Sequence, residues 1–189
     1  ESGTVWLDPE MTSPYAFHQF FLNAEDAMVG EYLRIFTSRT AEEIADLERQ
    51  TVEKPFLRAA QRALADDVTD LVHSPAERQA ATDAAAAVFG RADLACLPER
   101  ALRAVCWELG AVTVTAGETL PSVQDALAAS GVVASKSAAR RAIEEGGAYV
   151  NNVKITDVDA VLQPEDLLKG RYVITRRGKR TVGAVEVVR

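Results

Sequence analysis

SKSAARRAIEEGGAYVNN, residues Ser135 to Asn152, reads as a short basic helix running into a tight turn and then a strand. Ser135 or Ser137 is placed to cap the helix, which leaves its first amide hydrogens and the positive end of its dipole free to meet a phosphate. Lys136 and Arg140 project from one face four residues apart, with Arg141 beside them, while Ala139, Ala142 and Ile143 form the opposite apolar stripe. Gly146 and Gly147 end the helix, because glycine enters left-handed backbone conformations without steric cost. A helix of this kind docks on a small core and still exposes its cations, a chemistry that suits a structured RNA. A second reading competes with it. Arg140 with Glu144 and Arg141 with Glu145 are four-residue pairs, as on any salt-bridged, solvated helix face. On these residues alone the second reading is the commoner one.

The flanking sequence extends the pattern. Val123, Ala126 and Leu127 begin a preceding helix that Ser130-Gly131 ends. Downstream, Tyr172 to Thr175 and Val182 to Val188 alternate as strands around Arg176, Arg177, Gly178, Lys179 and Arg180. The expected result is a helix pair on a small twisted sheet, with a second basic cluster at a hairpin. Taken together, S-K-S-x-A-R-R, an apolar residue, G-G, a strand and V-N resemble the signature of the RNA-binding domain named after ribosomal protein S-four. The resemblance covers roughly residues 121 to 189. It implies an S-four-like (alpha-L) fold with Ser135, Lys136, Arg140, Arg141, Asn151, Lys154, Lys179 and Arg180 as RNA-binding residues.

Charge separates the chain in the same way. The whole sequence carries 21 basic and 28 acidic residues, a formal charge of −7 that opposes a polyanion. Residues 121 to 189 hold 11 Lys and Arg against 8 Asp and Glu, leaving 10 against 20 for residues 1 to 120. The C-terminal segment is therefore the electrostatic candidate for nucleic acid, and the acidic remainder does not grip phosphates indiscriminately. With 189 residues and 48% hydrophobic content there is apolar material for two modest cores. Gly110 to Leu120 breaks the helical pattern before Pro121, so the boundary is placed there, as a linker over 111–120 or a short strand at Val112 to Val114.

Residues 14–110 read as helical throughout. Ser13 followed by Pro14 starts a first helix with Phe17, Phe20 and Phe21 on one stripe, and a second follows Asn23 with Val29, Leu33 and Phe36 inward. Thr40 with Glu43 is a capping box for a third, carrying Ile44 and Leu47. Pro55 begins a fourth with Leu57, Ala60, Leu64, Val68 and Leu71. Ser74-Pro75 starts an alanine-rich fifth, and Leu102, Val105, Cys106 and Leu109 line a sixth after Pro98. The fold class expected is mainly α, a helical bundle followed by a small α+β domain. No 18-residue apolar run and no signal peptide occur, so neither a membrane partner nor secretion is indicated. Cys96 and Cys106 are ten apart, and His18 and His73 lack ligand-spaced companions, so no metal site is expected. Cys106 lies on an apolar stripe as packing, and no phosphate-cradling glycine loop appears. No catalytic residues are assigned within the chain.

The amino-terminal stretch gives a reason. Glu1 to Asn23, ESGTVWLDPEMTSPYAFHQFFLN, resembles the segment that follows the KMSKS-type loop in bacterial tyrosyl-tRNA synthetases, with S-P-Y-x-F-[YH]-Q-F at Ser13 to Phe20. A V-T-x-L-V-H element follows at Val68 to His73, although Ser74 stands where a glycine is usual. Such synthetases commonly end in an S-four-like domain, so this resemblance covers essentially the whole chain. It implies residues 1–13 as the segment after the loop, 14–110 as a helical anticodon-binding domain, and 121–189 as the RNA-binding domain. It further implies a parent enzyme, a class I tyrosine-tRNA ligase of the cytoplasm, that uses ATP with magnesium and dimerises through a Rossmann-type catalytic domain lying before Glu1. The partner implied is the tRNA for tyrosine, not DNA. This chain would need no cofactor of its own and would bind tRNA without aminoacylating it. Lys136, Arg140, Arg141, Lys154, Lys179 and Arg180 suit phosphate and ribose contacts along an A-form arm. Tyr15, His18, Asn23 and Asp26 are the candidate anticodon contacts, against packing roles for Tyr15 and His18 and a capping role for Asn23. Two alternatives stand beside this: a stand-alone S-four-domain module associated with RNA or the ribosome, and an RNA-modifying enzyme such as a pseudouridine synthase. The first leaves Glu1 to Asn23 unexplained, and the second needs a catalytic aspartate domain for which there is no room.

Overall fold

The computed structural model of the chain describes residues 4–188. Glu1, Ser2 and Gly3, expected as the tail of the signature loop's neighbourhood, therefore lie outside the described residues. Two compact units are present, the first running to Thr82 and the second beginning at Asp83.

The first unit is built from α1 (Pro14–Leu22), α2 (Val29–Phe36), α3 (Ala41–Glu53), α4 (Ala59–Val72) and the start of α5 (Pro75–Val88). Local chemistry sets the helix starts. Ser13 Oγ accepts from the Ala16 amide ahead of Pro14, and Thr40 and Glu43 form a reciprocal capping box on α3. Ser74, which replaces the usual glycine, accepts from the Glu77 amide at 3.2 Å and so caps α5. Phe17, Val29, Leu33, Ile44, Ala60, Leu64 and Val68 make the core.

Three expectations fail here. Phe20 and Phe36 share their helices with buried neighbours but are themselves exposed, because a helix of this size buries a stripe narrower than its apolar positions. The fourth helix begins at Ala59 rather than Pro55. Lys54, preceding a proline, is kept out of the helical region, Pro55–Leu57 forms only a 3-10 turn, and Arg58 at φ 49° interrupts the chain before α4. Leu57, in that turn, is exposed rather than inward, and so is Leu71, near the end of α4.

The second unit holds the end of α5, α6 (Glu99–Glu108), β1 (Val112–Thr115), α7 (Val123–Ala129), α8 (Lys136–Glu144), β2 (Ala148–Val150), β3 (Val153–Lys154), β4 (Tyr172–Arg177) and β5 (Thr181–Val188). Its sheet runs β1-β5-β4-β2-β3, antiparallel except for the parallel β1–β5 edge. Period-two alternation sends Ala148, Val150, Val173, Val185 and Val187 to one face, where they pack with Val123, Leu127, Ala139, Ala142 and Ile143 of α7 and α8. Gly183 lies where α7 ends: a Cβ there would come within 2.6 Å of the Ser130 carbonyl oxygen and 2.9 Å of Val132 Cγ1.

The opposite face is apolar too, with Tyr172, Ile174 and Ala184 buried, and α6 packs against β5. Two sequence boundaries shift as a result. Of the two readings for 111–120, the structure has the short strand, extended by one residue to Thr115, because the outer edge of β5 offers unpaired backbone groups that Val112–Thr115 satisfies. α6, grouped by periodicity with the preceding helices, belongs to the unit beginning at Asp83. The fold class is as expected, mainly α with a small α+β unit.

Candidate nucleic-acid interface

α8 carries the basic surface of the second unit. Ser135 is its N-cap, accepting from the Ala138 amide at 3.2 Å. Ala139, Ala142 and Ile143 are buried and Lys136, Arg140 and Arg141 exposed, so the helix docks by its apolar stripe and turns its cations outward. Those cations differ in what holds them. Lys136 Nζ lies 2.5 Å from Asp125 in the first turn of α7, and Asp125 also accepts from Ser122 Oγ at 2.7 Å. Hydrogen bonds from Lys136 and then Ser122 hold the Asp125 carboxyl below the usual carboxylate range. Arg140 Nε donates to Glu144 Oε1 at 3.0 Å, whereas Arg141 has no ion pair among the described residues and the expected Arg141–Glu145 pair does not form.

The helix end brings the remaining cations near. Gly146, at φ 70°, turns the chain out of α8, and a Cβ added to it would sit 2.6 Å from Lys154 Nζ. The Lys154 ammonium thus lies beside the carbonyl end of the helix, where the dipole favours a cation. The Gly178 amide donates to the Gly147 carbonyl at 2.8 Å, tying the β4–β5 turn to the same corner. Arg177, Lys179 and Arg180 are exposed in that hairpin. Arg176, which sequence reasoning left out of the binding set, lies 4.0 Å over the Tyr149 ring and donates from Nη1 to the Gly178 carbonyl at 2.6 Å. The signal for this brace is a register pair, Tyr149 opposite Arg176, which only strand pairing reveals.

Asn151 is a different case. Its backbone is left-handed at φ 46°, its Nδ2 donates to the Asp166 carbonyl at 2.7 Å and its Oδ1 accepts from the Ile174 amide at 3.0 Å. Expected as an RNA contact, it spends its amide pinning the β2–β3 turn to β4.

The first unit divides its four candidates. Tyr15 and His18 are buried, with His18 Nε2 2.8 Å from Asp66 Oδ1, so their rings pack inside the helices and offer no stacking face to a base. Their positions one turn apart on the inward stripe of α1 are the reason. Asn23 and Asp26 are exposed in the connection between α1 and α2. Asn23 also ends α1, its amide donating to Gln19 and Phe20 carbonyls. Among the described residues no group of three or more His, Cys, Asp or Glu side chains is placed to hold a metal ion, and no helix is long and apolar enough to cross a membrane.

Comparison with known proteins matches both units. Residues 1–90 match the family of class I tRNA synthetases (W and Y), and residues 108–183 match the tyrosine-tRNA ligase SYY-like C-terminal domain. The tyrosine-tRNA ligase of Cutibacterium acnes is 58% identical over 98% of this chain and 44% of its own length. That of Streptomyces avermitilis is 55% identical over 99% of this chain and 44% of its length. The chain belongs to the tyrosine-tRNA ligase family. It corresponds to the C-terminal portion of these ligases and spans less than half the length of the curated relatives it matches. A C-terminally truncated mitochondrial tyrosyl-tRNA synthetase from Aspergillus nidulans is 36% identical over 41% of this chain and 23% of that chain, with a TM-score of 0.40.

Proposed function

We propose that this chain is the tRNA-holding portion of a tyrosine-tRNA ligase. The observation that carries the reading is the exposed cation series Lys136, Arg140, Arg141, Lys154, Lys179 and Arg180, gathered around α8 and the β4–β5 turn in a chain otherwise rich in acid. A-form RNA hides its base edges in a deep groove, so cations spaced along a helix and a hairpin grip phosphates and ribose hydroxyls by shape. The second unit, functionally the S-four-like domain, takes an RNA arm in this way. The first unit, with Asn23 and Asp26 exposed, meets unpaired anticodon bases. The parent enzyme attaches tyrosine to its tRNA in the cytoplasm using ATP and magnesium, as a homodimer joined through a catalytic domain. The chain by itself binds tRNA and performs no tyrosine activation.

The test is titration of the purified chain with the tRNA for tyrosine and with a tRNA carrying a short variable arm. Tighter binding of the first supports the reading, and equal affinity for both overturns it. Tyrosine-dependent pyrophosphate exchange by the purified chain would overturn the assignment of activation to another part of the parent.

A further inference from the structure

We infer that Gln61, assisted by Arg58, is a positioning residue that fixes the Asp26 carboxylate for reading the edge of a guanine; the inference rests on the proposal that the first unit meets anticodon bases. Gln61 is fully buried on α4, yet its Nε2 points at an exposed loop, donating to Asp26 Oδ1 at 2.5 Å and to the Ala24 carbonyl at 3.4 Å. The direction of this amide is forced, since an ionised carboxylate only accepts. Its Oε1 is buried without a partner among the described residues. A core glutamine is costly unless its hydrogen bonds are made, so one that spends its donor on a solvent-facing acid serves the acid's placement.

Arg58 acts on the same segment. It holds a left-handed backbone at φ 49°, ψ 41°, sparsely populated for a residue with a side chain, and its Nη2 donates to the Leu22 carbonyl at 2.7 Å and the Ala24 carbonyl at 3.4 Å. The connection from α1 to α2 is therefore tied down at Leu22, Ala24 and Asp26 by two residues from one short stretch. Asp26 is exposed, and its hydrogen bond to Gln61 is made by Oδ1, which leaves Oδ2 without a partner among the described residues. Guanine presents two adjacent donors on its Watson-Crick edge, which match the two oxygens of one carboxylate. Adenine presents a donor beside an acceptor, and that acceptor repels the acid. Discrimination of this kind depends on holding the carboxylate plane in place, which is what Gln61 does.

The experiment measures Kd of the full chain for the tRNA for tyrosine carrying guanine, or adenine in its place, at the first anticodon position. Wild type is expected to prefer guanine by about tenfold, the scale of one bidentate base contact. Gln61→Met, close in volume and without a donor, is expected to reduce the preference to about threefold or less while leaving affinity for the adenine form unchanged. Arg58→Gly, which accepts the left-handed backbone and removes the tether, should shift the ratio the same way and serves if Gln61→Met does not fold. In an Asp26→Asn background neither change should alter the ratio further. A guanine preference unchanged by Gln61→Met or Arg58→Gly overturns the positioning role and leaves tRNA binding standing. Wild type that binds tRNA without preferring guanine also overturns it. Failure of wild type to bind tRNA at all instead removes the underlying reading, and this inference with it.

Discussion

Lys136 donates to Asp125 at 2.5 Å, joining the first turn of the basic helix α8 to the first turn of α7. The same interaction steadies the pair of helices and ties up one of the cations proposed for RNA. Because the folded Asp125 carboxyl is held below its ordinary value, its stabilising contribution is present above the unfolded carboxylate pKa of about 3.9 and is lost as pH falls through the folded value. Asp125→Asn should cost less than about 1 kcal/mol at pH 7, since both partners are solvent-screened. That difference from wild type should shrink in thermal melts as pH falls below the ordinary carboxylate range and vanish once the folded Asp125 is protonated, and tRNA affinity at pH 7 should rise about twofold as Lys136 is released.

Arg141 and Arg140 should not be equivalent. Arg140 must exchange its Glu144 partner for phosphate, whereas Arg141 starts unpaired among the described residues. Arg141→Ala is expected to weaken tRNA binding several-fold more than Arg140→Ala in the same titration, and Glu144→Ala should tighten binding by freeing Arg140. Equal losses would mean that the pair is broken in solution.

Removing the hairpin charges should show in the salt slope. Lys179→Ala combined with Arg180→Ala is expected to weaken binding and to flatten the dependence of log affinity on log salt. The slope should fall by up to about 0.9 for each phosphate that is no longer neutralised, the duplex-DNA value, and by less on RNA. Arg176→Ala should produce a similar loss by a different route, because it deletes the stack on Tyr149 and the hydrogen bond to Gly178 that brace the turn.

Burial, with Glu186 adding to it, pushes the Cys106 thiol up to about 12, while Cys96 is exposed. At pH 8 a thiol reagent should therefore label Cys96 rapidly and Cys106 only on unfolding. Mass mapping of the labelled chain checks this directly.

Gly183→Ala should be the most damaging small change in the second unit. The added methyl meets the Ser130 carbonyl at 2.6 Å and Val132 at 2.9 Å, and backbone at that distance yields only by moving α7 off the sheet. A loss of about 1–3 kcal/mol in denaturant unfolding is expected.

What the sequence determined is what short-range chemistry controls. Ser13, Thr40, Ser74 and Ser135 cap helices because a hydroxyl beside free amides needs no distant partner. Ala139, Ala142 and Ile143 are buried, and Lys136, Arg140 and Arg141 exposed, because helical spacing alone sorts them. Tertiary structure decided whatever depends on groups far apart in the chain. β1 exists because β5 has an open edge, α6 joins the second unit by packing against β5, and Tyr15 and His18 are buried, with His18 against Asp66, rather than presented to a base. The hold of Gln61 on Asp26 spans 35 residues, and a fully buried amide aimed at an exposed acid leaves no periodicity to read. Local capping and patterning fix the elements; which polar groups meet is set by packing, where each buried donor must find its acceptor.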